Sequence, residues 1–359
     1  MKILHLADIH LDRAFTRIAS ADGDRRRAEL REAFLRGLDV GVEQGVDAIC
    51  LAGDVYEHET VREDTAAFLR SRLAAAGLPV LIAPGNHDPR VPGSVWQRTS
   101  WPANVHIFRH DRLEPYDLGA VTVWGAAFTA RHCSASCLEG WRAPDDGRTH
   151  LLLLHGALTG EQWADDPAHR PITRAGVRAT GVAYAMLGHF HAGRADDLIC
   201  YPGSPEPLGF GERAGSHAAA ILDISEAAVT CELIEIARRA YASATVRVDG
   251  AAGSDEIEEA VTAEAAKHTG ASLEITLEGE VDPGCEVSPR AIEERCAAGL
   301  AELRVRDRTR PAYDLTSLAA EPSVRGRFVA RLLESEDVHA RDALLAGLRA
   351  LDGREDLVA

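Results

Sequence analysis

Eight residues capable of metal or proton chemistry recur at one place in the sequence pattern, directly after short apolar runs. ILHLA leads to Asp8 and His10, ICLAG to Asp54, VLIAPG to Asn86 and His87, LLLL to His155, and AMLG to His189 and His191. Two carboxylates, one amide oxygen and several imidazoles, without a thiol, suit hard-to-borderline divalent cations: manganese, magnesium, iron or zinc. One cation takes roughly three to six protein ligands. Asp8, His10, Asp54, Asn86, His155, His189 and His191 are therefore too many for one. Two cations about 3.5–4 Å apart, bridged by a carboxylate, fit the count. Asp54 follows Gly53 at the end of its run and is the bridging candidate.

Such residues need elements that bring their ends together. KILHLAD, DAICLAGD and PVLIAPGNHD read as buried strands, and residues 24–44 and 60–76 as amphipathic helices. Leu30, Phe34, Leu38 and Val42 recur at helical spacing in the first helix. Strand, helix, strand, helix, strand implies a parallel sheet with helices on its faces. In open α/β sheets the ligand site lies beyond the carboxyl ends of the strands, so the pattern predicts that the eight residues converge. After residue 100, NVHIF, AVTVWGAAF, HLLLLHG, AYAMLGHFH, DLICYPGS, HAAAILDIS and VTCELIEI read as strands. They imply a second sheet packed on the first, and hence a four-layer α/β/β/α sandwich over residues 1–240.

The pattern changes near residues 237–244. Residues 241–320 read as a small α+β domain, with strands in ASATVRV, ASLEITLEG and LRVRDRTR and helices at 254–268 and 288–303. Residues 321–359 form a C-terminal segment with helices in SVRGRFVARLLE and ARDALLAGLRAL. The first of these places Phe328, Val329, Leu332 and Leu333 on one side, a face that would suit either a partner or the preceding domain.

The 359 residues are 46% hydrophobic but only 5% aromatic, so aliphatic side chains must fill the core. The formal net charge of −17 argues against broad nucleic-acid binding by charge alone. From Tyr241 onward 14 Lys and Arg face 24 Asp and Glu, which leaves the first 240 residues at −7. Arg25, Arg26, Arg27, Arg31 and Arg36 are one candidate cationic patch, with a solvated helix face as the equal alternative. No signal-peptide pattern, zinc-type cysteine cluster or membrane-length apolar stretch occurs, and a reducing cytoplasm is the expected compartment. Cys133 and Cys137 in CSASC read as two reduced thiols in a loop, with a local disulfide or soft-metal site as alternatives. His5 lies mid-strand and reads as a packed core residue; His58 reads as a loop residue. His106, His110, His132, His150 and His169 fit no strand-end pattern and read as solvated or local hydrogen bonders.

Asp8-x-His10, Gly53-Asp54, Gly85-Asn86-His87-Asp88, His155-Gly156 and Gly188-His189-x-His191, in this order, resemble the calcineurin-like metallophosphoesterases. Within that superfamily, ADIHLD at 7–12 and YPGSPEPLGFGE at 201–212 resemble the SbcD-like DNA repair exonucleases, including the YhaO-like branch. The resemblance implies a nuclease sandwich with two divalent cations, manganese foremost, then a small capping domain and a C-terminal helical segment. It further implies DNA as substrate and an SMC-like ATPase of the SbcC type as partner; a homodimer is a further assembly to test, and no membrane is involved. One cation would be held by Asp8, His10, Asp54 and His191, the other by Asp54, Asn86, His155 and His189. His87 would act on the phosphate or leaving oxygen as acid or charge stabiliser. Asp88 would orient the turn or an imidazole, and Gly85 would permit close backbone approach to a metal. Where many relatives have Gly-Asp-x-x-Asp or Gly-Asp-x-x-His, this chain has Glu57, expected to accept a hydrogen bond without ligating. Two other readings stand beside this one: a cyclic-nucleotide or other small-molecule phosphodiesterase of the same fold, and a non-catalytic scaffold that regulates an ATPase.

Overall fold

The computed structural model describes residues 1–16, 20–160, 166–213, 215–226 and 228–351, so the last eight residues of the expected C-terminal segment lie outside the described residues. The chain forms two compact units, Met1–Arg239 and Ala240–Ala359.

In the first unit, β1 (Lys2–Leu6), β2 (Ala48–Leu51), β3 (Val80–Ile82) and β4 (Val105–Ile107) run parallel. With β11 (Ala218–Ile224) and β12 (Val229–Glu235) they make a six-stranded sheet in the order β12-β11-β1-β2-β3-β4. The second six-stranded sheet has the order β5-β6-β7-β8-β10-β9. It contains β5 (Glu114–Asp117), β6 (Val121–Ala126), β7 (Thr149–His155), β8 (Tyr184–Gly188), β9 (Arg194–Ala195) and β10 (Ile199–Tyr201). The pattern reading missed β5, because EPYD is an edge strand with no apolar run.

Period-2 alternation sorts the side chains. Ile3, Cys50 and Leu81 of the first sheet meet Val123, Leu151, Leu153 and Met186 of the second in one buried layer. Leu4, Leu6, Ile49, Leu51 and Ile82 point the other way, onto Leu30 and Phe34 of α1 (Ser20–Gln44) and Leu69 and Leu73 of α2 (Glu63–Ala75). Leu38 packs at the edge of this layer, but Val42 is 79% exposed: each four-residue step turns about 40° further round a helix, and in the last turn Gly41, not Val42, faces Leu4 of β1. The outer face of the second sheet buries Leu152, Leu154, Ala185 and Leu187 beneath Val177 of a short helix, Arg174–Thr180, and beneath loop residues such as Leu138. The expected fourth helical layer is therefore thin.

Register does the positioning. Leu6 pairs with Leu51, Leu51 with Ile82, and His155 with Gly188. The carboxyl ends of β1, β2 and β3 are thus level in one sheet, as are those of β7 and β8 in the other. Residues released just past these strands share one edge of the sandwich.

In the second unit, Tyr241–Arg247, Ser272–Val281 and Glu302–Pro311 form a three-stranded parallel sheet. Helices Ser254–Ala265 and Pro289–Cys296 cover one face through Ile257, Val261 and Ile292. Three further helices, Leu315–Ala319, Val324–Leu333 and Ala340–Leu351, close around Val329, Leu344 and Leu348. Phe328 and Leu332 join that cluster, whereas Leu333 is 51% exposed.

Candidate metal centre

Past the strand ends the backbone departs from ordinary conformations. Asp8, His10 and Asp54 have φ of 54°, 51° and 51°, and His189 has 121°. Non-glycine residues reach such angles at a cost of about 1–3 kcal/mol each, sustained only where the surroundings over-determine them. Here they do. The Asp8 N–H donates to the Gly53 carbonyl at 3.1 Å and the His10 N–H to the Asp54 carbonyl at 2.9 Å. The His189 N–H donates to both Asp8 carboxylate oxygens at 3.0 Å. Glycine is needed at position 85 for a different reason from the expected approach to a metal: a Cβ there would run into Asp54 Oδ1 and the Asp54 backbone nitrogen.

The geometry brings six of the seven ligand candidates together; the seventh, His189, lies with its ring 5.3 Å from that of His155, but its ligand atoms group with those of Asp166 and His169. His155 Nδ1 faces the Ala52 carbonyl oxygen at 2.9 Å, which can only accept, so Nδ1 carries the proton and Nε2 offers a lone pair. That Nε2 lies 2.9 Å from Asn86 Oδ1 and 3.4 Å from Asp54 Oδ2. Three acceptors thus converge with no donor among them. Burial keeps His155 neutral, with its pKa lowered to about 3. The second gathering is similar. His10 donates Nδ1–H to Glu57 Oε1 at 2.9 Å, and His191 Nδ1 contacts Glu212 Oε1 at 2.8 Å. Their Nε2 atoms then face each other at 3.2 Å, with Asp54 Oδ2 3.7 Å from that of His10. Ligand atoms of Asp8, His10 and His191 lie within 4.8 Å of one another, as do those of Asp8, Asp54 and His155.

Acceptors crowded face to face repel unless positive charge sits between them. The donor set, its convergence on two places and the shared Asp54 carboxylate fit two divalent cations. Electrostatics point the same way. Burial, together with the Asp54 charge, pushes the Asp8 carboxyl above the usual range. Burial also acts to raise Asp54, but the imidazoles of His155, His10 and His87 hold it down, to about 2. Burial alone would lower His191, yet its bond to Glu212 and the Asp8 charge raise it. Burial keeps His155 and His10 neutral, with the pKa of His10 lowered to about 4.

His87 stands beside this set. Its backbone N–H donates to Asp54 Oδ1 at 2.8 Å, and its Nδ1 contacts Glu57 Oε2 at 2.8 Å. Burial works to lower its pKa, but Glu57 and Asp54 outweigh that and raise it to about 9. Glu57 therefore grips two imidazoles, His10 and His87, with one carboxylate. A ligand role for His87 is also geometrically open, since a ring nitrogen lies within 4.8 Å of donor atoms of His10 and Asp54. Among the described residues, Asp88 hydrogen-bonds no imidazole through its carboxylate. Its carboxylate accepts from the N–H groups of Gly85, Asp54 and Val55 at 2.6, 3.0 and 2.9 Å, tying the end of β2 to that of β3.

Pattern reading overlooked two carboxylates that touch the site. Glu212 holds His191, and Asp166 Oδ2 lies 3.2 Å from His189 Nε2. Both sit on loops about twenty residues from the histidine they contact, where no periodicity marks them. The arginine patch does not exist as a free cationic face. Arg25 pairs with Asp22 at 3.0 Å, Arg27 with Asp24 at 2.7 Å and Arg31 with Asp64 at 2.8 Å. Arg26 is buried against Glu29, and Arg36 pairs with Glu206. His5 is fully buried in β1, and burial lowers its pKa to about 3. Cys133 and Cys137 are free thiols, and no cysteine joins a metal-type cluster among the described residues. No helix among them is long and apolar enough to cross a membrane.

The calcineurin-like phosphoesterase family model matches residues 1–193, which carry every one of these strand-end residues. The chain belongs to the calcineurin-like phosphoesterase family. Among relatives of this phosphoesterase, the uncharacterized metallophosphoesterase YhaO of Bacillus subtilis is 28% identical over 57% of this chain and 53% of its own length. The chain thus spans about half the length of that relative. The DNA double-strand break repair protein Mre11 of Methanopyrus kandleri is 28% identical over 99% of this chain and 83% of its own length. Mre11 of Sulfurisphaera tokodaii is 25% identical over 66% of this chain and 62% of its own. Family membership implies divalent metal ions, in keeping with the acceptor-only clusters described above.

Proposed function

We propose that this phosphoesterase is a metal-dependent DNA nuclease that hydrolyses phosphodiester bonds with two divalent cations, manganese foremost, in concert with an SMC-like ATPase of the SbcC type. The observation that carries the hydrolytic part is the convergence of His155 Nε2, Asn86 Oδ1 and Asp54 Oδ2 without a donor. The Mre11 relatives support DNA as the substrate.

One cation would be held by Asp8, His10, Asp54 and His191 and the other by Asp54, Asn86, His155 and His189. Bound there, the pair would lower the pKa of a water and neutralise charge building on the phosphoryl oxygens. The remaining work falls to the chain. Glu57 keeps His10 in the tautomer that offers Nε2, and it holds a proton on His87 near neutral pH. His87 gives that proton to the departing alkoxide. Asp88 fixes the turn that presents Asn86 and His87.

Duplex DNA repels a protein of charge −17 in which Arg25, Arg27 and Arg31 of α1 are already paired, as is Arg13 beside Glu57. The ATPase partner is therefore assigned the grip on DNA. The same observation favours one second reading, a small-molecule phosphodiesterase. An assay with defined DNA ends, in manganese and in magnesium, with and without the ATPase, separates the two. Cleavage enhanced by the partner is expected. Turnover of a cyclic nucleotide far above that of DNA would favour the alternative.

A further inference from the structure

Glu57 has a third neighbour besides its two imidazoles. His10 Nδ1 takes its Oε1 at 2.9 Å and His87 Nδ1 its Oε2 at 2.8 Å. The guanidinium of Arg13 stands beside the same carboxylate, with Nη1 3.6 Å from Oε1. That is an ion contact too long for a hydrogen bond. Among the described residues the Arg13 side chain makes no hydrogen bond and no second ion pair. Five N–H donors and a fixed positive charge are left without a protein acceptor, on a side chain 34% exposed whose charge reaches His87.

The backbone beneath Arg13 is fixed. The Leu11 N–H donates to the Val55 carbonyl at 3.0 Å, and the Glu57 N–H to the Leu11 carbonyl at 2.9 Å. Asp12, buried with φ of 62°, accepts the Arg62 N–H at 2.8 Å and the Thr65 hydroxyl at 2.5 Å on one carboxylate oxygen. The Thr60 hydroxyl donates to the Asp12 carbonyl at 2.8 Å, and the Arg13 N–H to that of His10 at 3.1 Å. A strained and buried turn therefore presents one cation with open donors at the rim of the site. A fixed backbone lowers the ordering cost of binding, and a guanidinium fork matches phosphate oxygens. Glu57 is a poor reason for that cation, because each of its oxygens already takes an imidazole.

Position decides which acceptor Arg13 meets. His10 Nε2 faces the first cation position, Glu57 holds the other nitrogen of that ring, and Arg13 lies against Glu57. An imidazole and a carboxylate thus stand between Arg13 and the cations, which would take the scissile phosphate. The phosphate left for Arg13 is the next one along a chain. We propose that Arg13 binds a phosphate adjoining the scissile one, which makes the preferred substrate a polynucleotide and not a lone phosphodiester. The inference rests on the two-cation phosphodiesterase reading and adds to it a contact that a single phosphate cannot make.

Steady-state hydrolysis by the full chain in manganese tests it, with a thymidine dinucleotide, which has one phosphate, set against a thymidine hexanucleotide. Arg13→Ala is expected to raise KM for the hexanucleotide about tenfold, the size of one lost charge-assisted hydrogen bond. KM for the dinucleotide is expected to stay within about twofold, and any change in kcat to be equal on the two substrates. Arg13→Lys, which keeps the charge but not the fork, is expected to recover part of the hexanucleotide KM. The dependence of log affinity for the hexanucleotide on log salt should lose about 0.7 of its slope in Arg13→Ala. Calorimetry should find two manganese ions in the parent and in both variants. Equal KM changes on the two substrates, a hexanucleotide KM within about twofold of the parent, or an unchanged salt slope each overturn the proposal. So does the loss of a manganese ion from Arg13→Ala, which would assign the arginine to Glu57 and the metal centre. A parent protein that binds no manganese pair, or leaves both substrates intact, instead sinks the underlying phosphodiesterase reading.

Discussion

Replacing His87 by alanine separates an acid from a ligand. Both roles are geometrically open, and they predict different things. As the acid, His87 carries a proton near neutral pH because Glu57 and Asp54 outweigh burial and raise its pKa to about 9. Bound dications would repel that proton and bring the value down. Activity should therefore be full below the operative pKa and fall as pH rises through it, at some point below 9. Loss of a general acid costs about 10²–10⁴-fold in kcat, or about 3–5 kcal/mol. The size must depend on the leaving group. A dinucleotide expels a basic alkoxide and needs the proton, whereas p-nitrophenolate leaves as a stable anion. His87→Ala should thus lose the full factor on the dinucleotide, far less on bis(p-nitrophenyl) phosphate, and the alkaline limb of the pH profile. Calorimetry should still find two manganese ions. A fall in manganese stoichiometry, or equal losses on both substrates, would refute the assignment.

Asp54→Ala should remove metal binding and turnover together, because both acceptor clusters share this carboxylate; manganese calorimetry reads the first and ester hydrolysis the second. Gly85→Ala drives a methyl group into the Asp54 carboxylate; a stability loss of about 1–3 kcal/mol in urea and weaker manganese binding are expected. Asp196 accepts both arms of Arg174 at 3.2 and 2.6 Å and the N–H groups of Leu198 and Ile199, and these outweigh burial to lower its pKa to about 2. Its folded value lies below the unfolded one, so the stabilisation is present above about pH 4 and is lost as pH falls toward 2. With the side chain 25% exposed, Asp196→Asn should cost about 1–2 kcal/mol at pH 7, and the gap from the parent should close as pH is lowered.

The strand-end residues were legible because a buried strand is a run of apolar residues, and the run's end marks where the chain leaves the core. Asp8, Asp54, Asn86, His155 and His189 stand at such ends, and parallel register then brings them level. Helical spacing likewise identified Leu30 and Phe34 as core. The same spacing failed at Val42, since an unbroken four-residue repeat drifts about 40° per step and leaves the buried face that Gly37 and Gly41 hold against Leu6 and Leu4. The strand at Glu114–Asp117 was invisible because an edge strand needs only backbone partners.

Residue order and type alone determined the α/β class, the places where donors leave the core, and a donor chemistry suited to divalent cations. These are properties of local hydrophobic pattern and of side-chain chemistry, and they need no neighbour. Only the tertiary structure decided that Glu57, Glu212 and Asp166 hold the imidazoles, that Asp88 ties two strand ends, and that the arginines of α1 are spent on carboxylates. Those outcomes depend on which loops meet. Loop residues bury little apolar surface and carry no period, so a carboxylate's partner becomes defined only when the packed sheets bring distant segments within hydrogen-bonding distance.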